Sequence, residues 1–193
     1  WQVRKPHLND CHRYGYGTGI GADTGEKCII ANNFVGEIGN SFAISCDLVQ
    51  APRIVDGRVG LCRDHKVFNN VVYNAAKRVL ISRVENNECD GNLYSSNTPV
   101  DDGRSFLVQY PAPEAVLNFS AWQEHYGWDQ LGAQMPIEAS FDRETLTLTI
   151  TVGEEITTLG HPENVPVAVT DDVGIAPLRV GENVIKLNAG LNY

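Results

Sequence analysis

Two aspartates occupy matching places in a repeated segment. Gly19-Ile20-Gly21-Ala22-Asp23 is echoed 24 residues later by Ala43-Ile44-Ser45-Cys46-Asp47, and more loosely by Leu80-Ile81-Ser82-Arg83-Val84. Two carboxyl groups about 5–5.5 Å apart can cleave a glycosidic bond with retention, one as nucleophile and the other as acid/base. At that separation each carboxylate raises the pKa of its neighbour, so one keeps its proton while the other ionises. Asp23 is the expected nucleophile and Asp47 its partner. Asp64, in Arg63-Asp64-His65-Lys66, is a third catalytic candidate. Each also has a plain reading as a turn residue, Asp23 above all because Thr24-Gly25 follows it.

Residues this far apart in the chain need a scaffold that makes them neighbours. Short apolar strands returning at one-turn intervals are the mark of a solenoid. In a β-solenoid, equivalent positions of adjacent turns lie about 4.8 Å apart. The corners of such a turn are also visible. Cys28-Ile29-Ile30-Ala31-Asn32-Asn33-Phe34 and Lys66-Val67-Phe68-Asn69-Asn70-Val71-Val72-Tyr73-Asn74 both read as a strand entering an Asn-rich corner. Glu85-Asn86-Asn87 and Asp90-Gly91-Asn92-Leu93-Tyr94 repeat the theme. Asn tolerates left-handed backbone, and stacked Asn side chains can form a ladder. The fold expected is all-β: a parallel β-helix over residues 1–134, with a short closing helix, then a small antiparallel β unit over 135–193.

One turn spans 20–41. The next reaches its Asn-Asn corner only at Asn69, so it carries an excess of more than a dozen residues. That excess is expected within Leu48–Cys62, around Pro52, Gly57 and Gly60. Residues 95–135 lose the repeat, and Asn118–Tyr126 reads as a helix capped by Asn118 or Ser120 and ended by Gly127. Beyond it, Leu146, Leu148 and Ile150 alternate with threonines, Val165, Val167 and Val169 alternate again, and Asn183–Leu187 forms a last strand.

Composition narrows the function classes. The chain has 193 residues and a formal net charge of −9. An acidic balance disfavours a nucleic-acid partner, whose phosphates attract Lys and Arg. No run approaches the ~18 apolar residues of a membrane-spanning helix. The five cysteines have no metal-ligand spacing and are read as small buried residues. The chain opens at Trp1 without a capped first turn, so it is expected to be the C-terminal part of a longer protein, whose N-terminal part would be its partner.

The strand-and-corner series, together with Phe119-Ser120-Ala121-Trp122-Gln123-Glu124-His125-Tyr126-Gly127-Trp128-Asp129, resembles bacterial right-handed parallel β-helix carbohydrate-active enzymes. In that superfamily a Trp-Gln and then Gly-x-Asp segment often closes the helix. The resemblance covers residues 10–150 and is nearest to glycoside hydrolase families 120 and 141. It implies a retaining hydrolase of plant or microbial poly- or oligosaccharides, without a cofactor, acting outside the cell or in the periplasm. In the first family Asp23 matches an acid that ends a Gly-Ile-x-x-Asp strand, and Asp47 stands near the second acid, a Glu there. In the second family Asp64 would be the partner.

Two other readings share the scaffold. A polysaccharide lyase would use Asp23 and Asp47 as Ca²⁺ ligands and Arg53, Arg83, His65 or Lys66 as the base. A sugar-binding or adhesin-like solenoid would rely on exposed rings, with Tyr14, Tyr16 and Tyr94 as candidates. Across these readings the substrate-contacting residues are Tyr14, Tyr16, Arg53, His65 and Arg83.

Overall fold

The computed structural model describes residues 18–23, 25–47, 54–59, 61–82, 86–96, 105–109, 113–153, 178 and 180–186. The fold is mostly β, with one short helix, and its sheets are both parallel and antiparallel. The larger sheet contains β1 (Ile20–Asp23), β3 (Phe34–Asp47), β7 (Val71–Ser82), β10 (Phe106–Gln109) and β11 (Ala115–Leu117), in that order. Its first three junctions are parallel, and β11 closes it antiparallel. β9 (Leu93–Ser95) extends β7, and β12 (Ala133–Met135) extends β9, again in parallel. A second parallel sheet joins β2 (Ile29–Ala31), β6 (Lys66–Phe68) and β8 (Glu88–Asp90).

These strands stack because equivalent positions carry equivalent residues. Ile30, Val67 and Cys89 form one buried row, and Val35, Val72 and Tyr94 another. Ile44, Val79 and Phe106 form a third, and Cys46, Ile81 and Val108 a fourth; all twelve residues belong to one core. Removing a large apolar side chain from such a row costs about 2–5 kcal/mol.

The chain turns at left-handed positions that recur in step. Lys27, Asp64 and Asn86 have φ of 58°, 58° and 65°. Asn32, Asn69 and Gly91 have φ of 58°, 55° and 66°. Glu37 and Asn74, at 58° and 46°, bend β3 and β7 part-way along. Asn, Asp and Gly bear this conformation more readily than other residues, which explains the Asn-rich corners of the sequence. Neighbouring corners are tied side chain to side chain: Asn69 Nδ2 donates to Asn32 Oδ1 at 2.6 Å, Asn86 Nδ2 to Asp64 Oδ1 at 3.1 Å, and Asn74 Nδ2 to Glu37 Oε2 at 2.8 Å.

The third copy of the echo lies elsewhere than the sequence suggests. Ile44 pairs with Val79, Ser45 with Leu80 and Cys46 with Ile81, so the matching segment is Arg78-Val79-Leu80-Ile81-Ser82 rather than Leu80–Val84. A slip of two residues preserves the in-out alternation of a strand, and a pattern of period two cannot detect it. β3 also has two more residues than β7 between Ile38 and Phe42, a bulge that shifts the register midway.

Part of the Leu48–Cys62 segment forms a hairpin of β4 (Ile54–Val55) and β5 (Arg58–Val59), turning at Asp56-Gly57. Helix α1 (Phe119–Tyr126) is capped by Asn118, whose side chain accepts the Ala121 amide at 2.8 Å. Ser120 instead bonds Glu124 within the helix. Gly127, at φ 67°, ends the helix in the left-handed conformation.

β13 (Ile137–Asp142), β14 (Thr147–Val152) and β15 (Gly181–Lys186) form an antiparallel sheet. Its inward residues Ile137, Leu148, Ile150, Val152 and Ile185 pack with Met135, Val71 and Leu93 as a second core. Met135 still belongs to the parallel strand β12, so the change of texture comes two residues later, at Ile137. Leu146 lies in the turn at φ 51° rather than in β14. The stretch Val165–Val169 lies outside the described residues.

Candidate functional site

The parallel pairing of β1 with β3 runs Ile20 to Ile44, Gly21 to Ser45, Ala22 to Cys46 and Asp23 to Asp47. The two aspartates are register partners at the carboxyl ends of their strands. Two strands further on, Ser82 and Gln109 are partners at the matching ends of β7 and β10. The Ser82 hydroxyl is buried and makes no hydrogen bond.

Asp64 stands in a different column. It takes the left-handed corner between Lys27 and Asn86, accepts from Asn86, and lies 3.8 Å from the Arg63 guanidinium. Arg63 also reaches Glu26 at 3.4 Å, across the isolated bridge that joins those two residues. Lys66 pairs with Glu88 at 3.5 Å. Tyr94 is buried in the core. Tyr14, Tyr16, Arg53 and Arg83 lie outside the described residues.

His65 is wholly buried. Its Nδ1 accepts the backbone amide of Cys28 at 3.2 Å, and its own amide donates to Asn87 Oδ1 at 3.0 Å. Burial pushes its pKa below the usual imidazole value; the backbone at Gly25 and Cys28 opposes that by less, and the carboxylates of Asp64 and Glu26 by less again.

Among the described residues, a heavily bonded polar group is one that sequence reasoning placed only in a closing segment. Asp129 is fully buried and ends a column of side chains. Asn33 donates its amide and Nδ2 to Asn70 Oδ1, both at 3.0 Å. Asn70 does the same to Asn92 Oδ1, both at 2.9 Å. Asn92 does the same to Asp129 Oδ1, at 3.0 and 2.8 Å. Asn70 and Asn92 both accept and donate, whereas the last member needs only to accept, and a carboxylate suits that place. Its other oxygen takes Tyr94 OH at 2.8 Å, Trp122 Nε1 at 2.9 Å and Cys89 Sγ at 3.3 Å. Burial raises the Asp129 pKa, and the donors from Tyr94, Asn92 and Trp122 pull it back. The trace of this column in the sequence is uneven: Asn33 to Asn70 and Asn92 to Asp129 are both 37 residues, with 22 between Asn70 and Asn92.

Cys46, Cys62 and Cys89 are buried and unbridged, and Cys28 is half-buried and unbridged. Burial pushes the Cys46 and Cys89 thiols well up, so they are protonated and unreactive. Among the described residues no three His, Cys, Asp or Glu side chains are grouped to hold a metal ion. No family model matches this chain, and no match was found among the curated proteins or the solved structures.

Proposed function

We propose that the parallel stack is a right-handed β-solenoid and that the chain is a retaining glycoside hydrolase of poly- or oligosaccharides. The single observation that carries the reading is the register of Asp23 with Asp47. In-register parallel strands stand about 4.8 Å apart, a backbone spacing close to the roughly 5–5.5 Å between carboxyl groups that double displacement requires. Asp23 is the nucleophile: its carboxylate attacks the anomeric carbon while Asp47 gives its proton to the departing oxygen. Asp47 then takes a proton from water, and that water releases the sugar from Asp23. The repeated corners and the two parallel sheets support the scaffold, because they fix each turn's rotation and height on the one below.

The test is hydrolysis of a panel of nitrophenyl glycosides and plant or algal polysaccharides by the full chain. Asp23→Asn and Asp47→Asn should each lower turnover by about 10³-fold or more while the thermal midpoint holds. Appearance of an unsaturated uronate, absorbing near ~235 nm and abolished by chelation, would instead mark a Ca²⁺-assisted lyase. Undiminished hydrolysis by either variant would overturn the assignment.

A further inference from the structure

The structure contains a second side-chain column, and one of its members is not an amide. At the Asn33–Asn70–Asn92–Asp129 column, the side-chain oxygens of Asn70, Asn92 and Asp129 each accept the backbone N–H of the residue one layer away. The column before β2, β6 and β8 has the same geometry. Asn87 Oδ1 accepts the His65 amide at 3.0 Å, and His65 Nδ1 accepts the Cys28 amide at 3.2 Å. His65 Nδ1 therefore occupies the place that an Asn oxygen fills elsewhere. An amide oxygen accepts at any ordinary pH, whereas an imidazole nitrogen accepts only while it is unprotonated.

We infer that His65 is a proton-operated rung, which holds the β2–β6 corner closed while its ring is neutral and releases it on acidification. With Nδ1 accepting, the neutral ring carries its proton on Nε2, which is buried without a hydrogen-bond partner among the described residues. A second proton must go to Nδ1. There it would face the Cys28 N–H, donor against donor, at a site closed to water. The corner must open to solvate the imidazolium.

The groups around the ring bear on the sign. The backbone at Gly25 and Cys28 favours the charged ring, Asp64 and Glu26 favour it by less, and Arg63 pairs with both carboxylates. Lys66 and Glu88 pair with each other beside the corner. The half-buried Cys28 thiol bonds the Glu26 carbonyl at 3.8 Å. Burial outweighs the backbone and the carboxylates together, so the folded chain binds this proton less readily than the unfolded chain. The stabilisation is then complete above the ordinary histidine pKa of about 6.5 and is lost as pH falls below it.

His65→Asn supplies a fixed oxygen at the Nδ1 position and is the decisive comparison. Thermal midpoints at pH 7.5 and 5.0 should fall by about 3 °C or more for the wild type relative to His65→Asn, beyond the decline the two share from carboxylate titration. Exchange of the Cys28 amide should accelerate at pH 5.0 in the wild type alone, once corrected for the intrinsic pH effect. Should His65→Asn fail to fold, imidazole ¹⁵N shifts of the wild type decide: a neutral Nε2–H ring that titrates below the other histidines is expected. Equal pH slopes for both chains, or ordinary titration of His65, would overturn the inference.

Discussion

Asp129 shows how one acceptor-only side chain can close a polar column. Asp129→Ala orphans the donors of Asn92, Tyr94, Trp122 and Cys89 together, and urea denaturation should show a loss of about 3–5 kcal/mol. Asp129→Asn keeps one oxygen for Asn92 but turns an NH₂ toward the Tyr94, Trp122 and Cys89 donors. It should lose about 1–3 kcal/mol, less than the alanine variant. An unchanged midpoint for Asp129→Ala would show that the column does not depend on its last member. Glycine matters beside it. A Cβ on Gly132 would lie 2.8 Å from the Asn92 carbonyl and 2.8 Å from Asp129 Cβ. Gly132→Ala therefore has to move backbone, and about 1–3 kcal/mol should be lost in the same assay. At this scale the Asp23–Asp47 echo was legible because strand residues and their spacing recur together. Asp129 escaped because its partner Asn92 is 37 residues away, while the preceding step of the column is 22. A column whose step alternates has no single period to find.

Among the elements, the corners were easier to read than the strand registers. Asn-Asn and Asp-Gly dipeptides mark positions that need left-handed backbone, and Asn32, Asn69 and Gly91 take it up. Lys27 and Glu37 adopt the same conformation at φ 58° without any such chemical hint. Their partners Asp64, Asn86 and Asn74 carry the hint instead, so a column is marked even where one of its members is not. The register of β7 was hidden by the two-residue slip, because its apolar alternation satisfies both alignments. Helix α1 was legible through its cap and stop. Asn118→Ala should cost about 1 kcal/mol by removing the acceptor of the Ala121 amide, whereas Ser120→Ala should cost less than about 0.5 kcal/mol. Equal losses in chemical denaturation would contradict the assignment of the cap.

For the whole molecule, the pairing pattern ranks local stability. β7 has β3 on one side and both β9 and β10 on the other, and its residues Val79 and Ile81 are fully buried. Among the described residues the β4 and β5 strands pair only with each other, and Ile54, Arg58 and Val59 are exposed. Native-state hydrogen exchange should therefore find amides of β7 among the slowest and those of β4–β5 among the fastest, by several orders of magnitude. The reverse order would contradict the topology. The antiparallel sheet of β13, β14 and β15 shares its core with Val71 and Leu93 of the parallel stack. Its strand β14 was plain in the Thr-alternating sequence, but its seat on Val71 and Leu93 was not. Those residues read as strand positions with no sign of which face meets a second sheet.

The proposed hydrolysis requires two aspartates, distant in the chain, to act together across neighbouring parallel strands. Their spacing carries a stereochemical consequence that needs no variant. Proton NMR of the earliest product from a cleaved glycoside reports the anomer released before mutarotation. Carboxyl groups on adjacent strands leave no room for a water between them and the sugar, so the first anomer should keep the configuration of the substrate. Release of the opposite anomer, or no cleavage of any glycoside by the intact chain, would contradict the account.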